Sequence, residues 1–422
     1  MSTKVEAEQA SVASSAQDLF TIIDGSVTTP KGYQASGLHC GLKKTERNDI
    51  GAIVSDVPAT AAAVYTTNAF QAAPLGVTRE SLSVSKQLQA VIVNSGNANA
   101  CTGKLGEQNA YRMREAFAQQ LDVDAHLVAV ASTGVIGEQL KMDCVEAGIA
   151  ALPEKLSAER EGAEQFSQAI LTTDLVKKEA CVLVNVNGVQ VTIAGAAKGS
   201  GMIHPNMATM LAFVTTDAAV EPTALEQLLK KTTNQTFNMI TVDGDTSTND
   251  MLLVMANGTA QPEVLHEGHE AWHAFEAGFR YVCEVLAQAI ARDGEGATKL
   301  IEVQVQGASS HESASKIAKS VVGSSLVKSA VFGADANWGR VIAAVGYAGE
   351  AVEPDKVDIH LGPIVVLEQS TPVAFDEEEA LEYLRNDKIV FTIQLHMGEG
   401  EAVAWGCDLT YDYVRINAAY RT

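Results

Sequence analysis

Basic residues are scarce in this chain of 422 residues: 30 lysines and arginines face 52 acidic residues, for a net charge of −22. No local Lys/Arg cluster reverses the sign, so phosphate backbones and anionic lipid are repelled, and neither nucleic acid nor a membrane is expected as a partner. No apolar run reaches the length needed to span a bilayer. Ten prolines are spread thinly, and there is no repeat, no low-complexity block and no linker rich in proline and glycine. Any domain boundary is therefore soft, although the length alone predicts two or three domains. The six cysteines (Cys40, Cys101, Cys144, Cys181, Cys283 and Cys407) include no Cys-x-x-Cys pair, and several sit in apolar runs. They are expected to be buried, reduced thiols of a cytoplasmic protein. Residues 1–18 lack both the apolar stretch of a secretion signal and the arginine content of a transit peptide, and are expected to form a disordered tail.

What is present is enough for a large core, since 46% of the residues are hydrophobic and only 19% charged. Short β-branched runs alternate with helical patterns, which predicts an α/β or α+β protein: a layered sandwich of β-sheets covered by helices. Strands are expected at 90–94, 127–131, 252–256 and 301–305. Alternating apolar residues on either side of Asn187-Gly188 predict a hairpin over 182–193. Helices are expected at 107–121, 140–152, 158–171, 223–233, 270–292 and 313–331.

The most informative segment runs from Lys198 to Thr216. A Gly-Ser-Gly stretch and a Pro-Asn turn lead to Ala208, whose small side chain leaves its carbonyl open, and then to Thr209 at the start of an apolar run. A threonine hydroxyl becomes a useful nucleophile when a base lies within hydrogen-bond reach, and the most compact such base is the residue's own α-amine. That amine exists only if the Ala208–Thr209 bond is cut. The hydroxyl can make the cut itself by attacking the preceding carbonyl, shifting amide to ester, with water resolving the ester. The freed α-amine, with an ordinary pKa of about 8, can then act as a base near neutrality.

The run Lys-Gly-Ser-Gly-Met-Ile-x-Pro-Asn-Met-Ala-Thr-Met-Leu resembles the self-cleavage segment of the ornithine acetyltransferase family, also called glutamate N-acetyltransferase or ArgJ. The resemblance extends through further segments from Asn94 to the last residue. It implies an ArgJ/DmpA-like fold of the N-terminal-nucleophile type, cut into an α chain, 19–208, and a β chain, 209–422, which begins with the nucleophile Thr209. The two fragments are expected to stay associated, because each alone would leave sheet edges and apolar faces uncovered. A heterotetramer of two α and two β chains follows from the resemblance alone.

The implied activity moves an acetyl group from N-acetylornithine to glutamate through an acetyl-threonine, in ping-pong fashion, as a step of arginine biosynthesis. No cofactor and no metal are implied, and acetyl-CoA is left open as a second acetyl donor. Thr133 and Gly134, in Ala131-Ser-Thr-Gly-Val-Ile-Gly137, inherit the role of oxyanion donors; without the resemblance this is an ordinary strand-to-helix glycine turn. Thr172, Lys198, Glu295, Asn417 and Thr422 match the family's substrate-binding residues, whereas Ala419 replaces an acidic or polar residue common there. A lysine and hydroxyls suit an α-carboxylate, and a partly buried glutamate suits a cationic side chain. Two rivals stand beside this assignment: an N-terminal-nucleophile amidase or aminopeptidase that passes the acyl group to water, and a non-enzymatic protein in which the Ala208–Thr209 bond stays intact.

Three other segments draw attention. Asn94–Gly103 is a polar, glycine-containing loop expected to shape the site around the oxyanion turn. Asp243–Asp250 has the Asp/Asn alternation of a calcium loop, but lacks its glycine at the sixth position and its glutamate at the twelfth, so a polar turn lining the site is expected. Gly333–Arg340 resembles a further family signature. His269-Glu-Ala-Trp-His273 fits the zinc-protease H-E-x-x-H pattern, but on a helix both histidines would lie well off the apolar stripe of Trp272, Phe275, Phe279, Val282 and Leu286, on a wet flank. A catalytic zinc is not expected there.

Overall fold

Two fully buried runs, Leu211–Thr216 and Met251–Ala256, form the centre of the structure. They pair in parallel, and their near-continuous apolar sequence is what a strand buried on both faces requires. The computed structural model describes residues 19–204, 210–260 and 263–419. It is a mixed α/β protein with sheets flanked by helices.

The strands, in chain order, are β1 (Phe20–Ile22), β2 (Tyr33–Leu38), β3 (Ile50–Tyr65), β4 (Gln87–Asn97), β5 (Val128–Val135), β6 (Lys178–Val186), β7 (Val189–Lys198), β8 (Leu211–Thr216), β9 (Ala219–Val220), β10 (Ile240–Thr241), β11 (Met251–Ala256), β12 (Val264–Leu265), β13 (Leu300–Ala308), β14 (Asp358–Leu361), β15 (Ile364–Glu368), β16 (Thr371–Pro372), β17 (Lys388–Gln394) and β18 (Gly400–Cys407). The first sheet runs β1-β6-β7-β8-β11-β3-β4-β5, with β2 also paired to β3; the second runs β10-β18-β13-β17-β14-β15-β16; β9 and β12 form a small pair.

The helices are α1 (Ala73–Ser85), α2 (Gly103–Leu121), α3 (Met142–Ala151), α4 (Arg160–Ile170), α5 (Pro222–Gln235), α6 (Trp272–Arg292), α7 (His311–Gly323), α8 (Ser325–Phe332), α9 (Trp338–Gly346), α10 (Glu377–Tyr383) and α11 (Tyr411–Ala418). The apolar stripe of α6 lies in the core shared by both sheets: Phe275, Phe279, Val282 and Leu286 cluster with Val182 and Ile193 of the first sheet and with Val303 and Ala404 of the second. On the opposite face of the first sheet, Ala163, Phe166 and Ile170 of α4 pack against Ile53 and Phe213.

The expected hairpin forms with Val186 opposite Val189 and both turn residues at positive φ, the backbone that an Asn-Gly pair tolerates. Three of the four expected strands fall within β4, β11 and β13, and the fourth, 127–131, matches the start of β5 except for Leu127, which ends a short 3-10 turn. One expected helix differs. The segment 313–331 is broken at Ser324, which adopts extended backbone and caps α8 through its hydroxyl; its capping preference outweighs the apolar period that runs across it.

The sheet order bears on the expected cut. Strands β8 and β11, which follow Thr209 in sequence, lie between β7 and β3, which precede it. Two strands of the later half are thus hydrogen-bonded on both sides to strands of the earlier half. Among the described residues, no helix is long and apolar enough to cross a membrane.

Candidate active site

Strand β7 delivers Lys198 into the interior at its last position. The Lys198 Nζ donates to Thr172 Oγ1 at 2.7 Å and to Thr133 Oγ1 at 3.3 Å. It therefore joins the end of β5 to the segment after α4. Burial lowers the pKa of this ammonium, and the Asp174 carboxylate opposes that shift.

Glu295 lies in the turn between α6 and β13. Its backbone amide donates to Ser200 O at 2.8 Å, and its Oε2 accepts from Asn417 Nδ2 of α11 at 2.8 Å. The carboxylate lies against Gly201, where an added Cβ would come within 2.4 Å of Glu295 Cδ. The glycines ahead of the expected cut thus permit close approach as well as freedom of backbone.

An ionic bridge beneath this layer holds it in place. Lys178 Nζ donates to Asp174 Oδ1 at 2.7 Å and to Asp293 Oδ2 at 2.6 Å, with the lysine side chain wholly buried. The two oxygens of Asp174 also accept the backbone amides of Gly199 at 2.6 Å and Thr172 at 3.0 Å. Burial by itself would raise the Asp174 carboxyl, but the Lys198 and Lys178 charges and the Thr172 amide hold it well below the usual carboxylate range. Asp293 Oδ2 accepts the Leu175 amide at 3.1 Å. One carboxylate thus binds the Thr172 amide and the Gly199 amide that follows Lys198, and the other ties that segment to the turn carrying Glu295.

Thr133 and Gly134 were expected in a turn after a strand; they lie within β5 itself. The parallel ladder is irregular there: Asn97 pairs with both Thr133 and Val135. Gly134 adopts φ +136°, and a Cβ would meet the Gly96 backbone at 2.3 Å, so only glycine allows two backbones to approach this closely. Asn249 secures the region by donating to Ala98 O at 2.6 Å and Ser132 O at 2.8 Å. Ser132 Oγ donates in turn to Asn94 Oδ1. The end of β4 with the loop 98–102, and the loop 243–250, are consequently one hydrogen-bonded support behind the oxyanion candidates; the stretch 94–97, expected as loop, is strand. Asp243 accepts the amides of Met202 and Ile203 at 2.6 and 2.9 Å.

These elements enclose a cavity of about 340 Å³, large enough for an amino-acid ligand. Thr133, Gly134, Thr172, Lys198, Glu295 and Asn417 all line it, together with Met210, Ser247, Asn249 and Asp250. The expected site residues Ala208, Thr209 and Thr422 lie outside the described residues. Sequence reasoning missed Asp174, Lys178, Asp250 and Asp293. Asp174 and Asp293 each stand two residues from a recognised position, and Asp250 closes a segment already singled out, but only the folded arrangement reveals their burial.

Two expectations need correction. His269 is not on the helix, which starts at Trp272; its side chain is 7% exposed and pairs with Glu263 at 3.1 Å. The H-E-x-x-H residues therefore do not share a helical face, and His269 is not on a wet flank. Of the six cysteines, only Cys181, Cys283 and Cys407 are buried; Cys40 and Cys144 are half-buried and Cys101 is exposed. The Gly333–Arg340 segment does not reach the cavity: Asn337 caps α9 by accepting the Arg340 amide, and Arg340 Nη1 donates to Leu326 O.

The family model described as the ArgJ family matches residues 34–422. The chain belongs to the ArgJ family. Two ArgJ relatives are similar over nearly their full lengths. Both are named arginine biosynthesis bifunctional protein ArgJ. The relative from Geobacillus kaustophilus is 58% identical over 402 residues, covering 95% of this chain and 97% of that one. The relative from Bacillus subtilis is 54% identical over 406 residues, covering 96% and 99%. A solved ArgJ protein from Bacillus halodurans is 56% identical, covering 49% of this chain and 98% of that chain, with a TM-score of 0.49.

Proposed function

We propose that this ArgJ-family chain cuts itself between Ala208 and Thr209 and then transfers acetyl groups in arginine biosynthesis, from N-acetylornithine to glutamate. The observation that carries this reading is convergence. Side chains from β5, β7, the segment after α4, the turn before β13 and helix α11, on both sides of the expected cut, meet around one cavity that Met210, the neighbour of Thr209 in sequence, also lines.

In the mechanism, Thr209 Oγ attacks the acetyl carbonyl while its own amine takes the hydroxyl proton. Thr133 and Gly134 stabilise the tetrahedral oxyanion, each well-aimed donor contributing about 3–4 kcal/mol. Lys198 and Thr172 hold the amino acid's carboxylate, and Glu295, oriented by Asn417, holds the ammonium of the ornithine side chain. Ornithine leaves, glutamate enters the same pocket, and its amine takes the acetyl group. Thr422 adds a hydroxyl to this shell. Acetyl-CoA, as a co-substrate, would load the same threonine; no cofactor is needed. The active protein is a cytoplasmic assembly of two α and two β chains.

The test combines intact mass with an acetyl-transfer assay. Active material should contain a fragment that begins Thr-Met-Leu-Ala, and acetyl release from N-acetylornithine should depend on glutamate. A single full-length chain that is fully active, or release to water indifferent to glutamate, would refute the assignment. Acetylation of glutamate from acetyl-CoA alone decides whether that donor is used.

A further inference from the structure

One carboxyl in the cavity has no role in the reading above. Asp250 is 3% exposed and lines the cavity. Its backbone carbonyl accepts the Thr66 amide, but its side-chain Oδ2 is buried without a hydrogen-bond partner. Buried polar atoms are normally satisfied, so an oxygen left free beside a ligand cavity points to a partner that arrives with the ligand. Glu295, the other carboxyl lining the cavity, is already engaged by Asn417.

The position of Asp250 is fixed by the sheet. It immediately precedes β11, whose Met251 amide donates to Met210 O at 2.9 Å and whose register sets Met251 opposite Leu211. The carboxyl is thereby anchored next to the strand that follows the proposed nucleophile in sequence. The charged groups lining the same cavity are Lys198 from β7 and Glu295 from the turn before β13; Ser247, Asn249 and Thr172 face it as neutral groups. Burial pushes the Asp250 carboxyl well above its ordinary pKa, against the Ser247 hydrogen bond and the Lys198 charge, which favours a protonated resting state.

We propose that Asp250 carries a proton between the two half-reactions, taking it from the ammonium of the incoming acceptor and giving it to the departing amine. The proposal rests on the acetyl-transfer reading. In the first half-reaction the Thr209 oxygen bonds to the acetyl carbon, the amide C–N bond breaks, and the hydroxyl proton reaches the departing nitrogen through the Thr209 amine. The product is then a neutral amine, and protonated Asp250 supplies the proton with which it leaves as an ammonium. In the second, the Asp250 carboxylate removes one proton from the acceptor ammonium. The freed amine bonds to the acetyl carbon, the ester C–O bond breaks, and the second amine proton returns to the threonine oxygen. Asp250 ends protonated, as it began, so the cycle needs no proton exchange with water.

The test separates acceptors by their need to lose a proton. Acetyl-enzyme is prepared with N-acetylornithine and chased with glutamate, or with hydroxylamine, which is largely unprotonated near neutrality. Asp250→Asn keeps the shape but cannot carry the proton, so the glutamate chase should slow ~100-fold or more near neutral pH while the hydroxylamine chase stays within about fivefold. The glutamate deficit should shrink as rising pH frees the amine. An unchanged glutamate chase, or equal losses with both acceptors, would overturn the proposal. If Asp250→Asn forms no acetyl adduct by intact mass, Asp250→Glu decides, and its failure to sustain a glutamate chase above that of Asp250→Ala is equally fatal. A wild-type protein that forms no adduct would instead show that the acetyl-transfer reading itself is wrong.

Discussion

Lys178 and Asp293 lie 2.6 Å apart in the interior, although scission at Ala208–Thr209 would place them on different polypeptides. With Asp174 they form a buried ionic bridge that spans the proposed cut and supports three cavity-lining segments. A buried pair of this kind is weak evidence for net stability, but removing one member leaves an uncompensated charge. The bridge accordingly serves to fix position more than to add strength.

Replacing Lys178 with Met should destabilise the protein by about 3–5 kcal/mol, because Asp174 and Asp293 would both lose their buried cation. Urea unfolding of the processed protein measures this. A loss within the range of an ordinary surface substitution would mean that the bridge is not formed.

Thr209→Ala should abolish both self-cleavage and turnover. A denaturing gel should display one full-length chain, and the acetyl-transfer assay should read background. Normal turnover in this variant would remove Thr209 from the mechanism.

Gly201→Ala separates binding from folding. The new Cβ would come within 2.4 Å of the Glu295 carboxylate, the movable end of a side chain, so the fold should survive while the carboxylate is displaced. The KM for N-acetylornithine should rise about tenfold or more, equivalent to roughly 1.4 kcal/mol of lost binding, with little change in unfolding midpoint. An unchanged KM would place Glu295 outside substrate recognition.

His204, four residues before Ala208 in sequence, should contribute to the acid limb of stability. Burial, reinforced by the Lys319 charge, pushes its pKa from 6.5 down to about 4. Between those values the unfolded chain binds the proton more readily than the folded one, so stability falls as pH drops from 6.5 toward 4 and levels off below. Urea midpoints measured across this window should have a shallower pH slope in His204→Gln. Parallel curves for the two proteins would contradict the shift.

Part of the fold was legible because its signals are local. The Asn187-Gly188 turn demands two positive φ values and received them. The run that became β11 is apolar throughout and that of β8 is apolar until Thr215, and the apolar stripe of α6 has helical period. The break at Ser324 was not visible, since its hydroxyl competes with a pattern that reads as unbroken helix. The same limit applied to the site. Lys198 and Glu295 could be named from a motif, but as single residues they look like surface charges; their burial depends on α4, α6 and β7 meeting around Lys178.

The sequence by itself determined the features from which the chemistry is proposed: a threonine after a small residue, with glycines to let the backbone bend, shortly before an apolar run. These properties belong to neighbouring atoms and survive without the rest of the chain. Only the tertiary structure decided which charges are kept from water and which carboxyl is left with a free oxygen. Desolvation and pairing arise from segments more than a hundred residues apart, as with Lys178 and Asp293, and no local pattern encodes that distance.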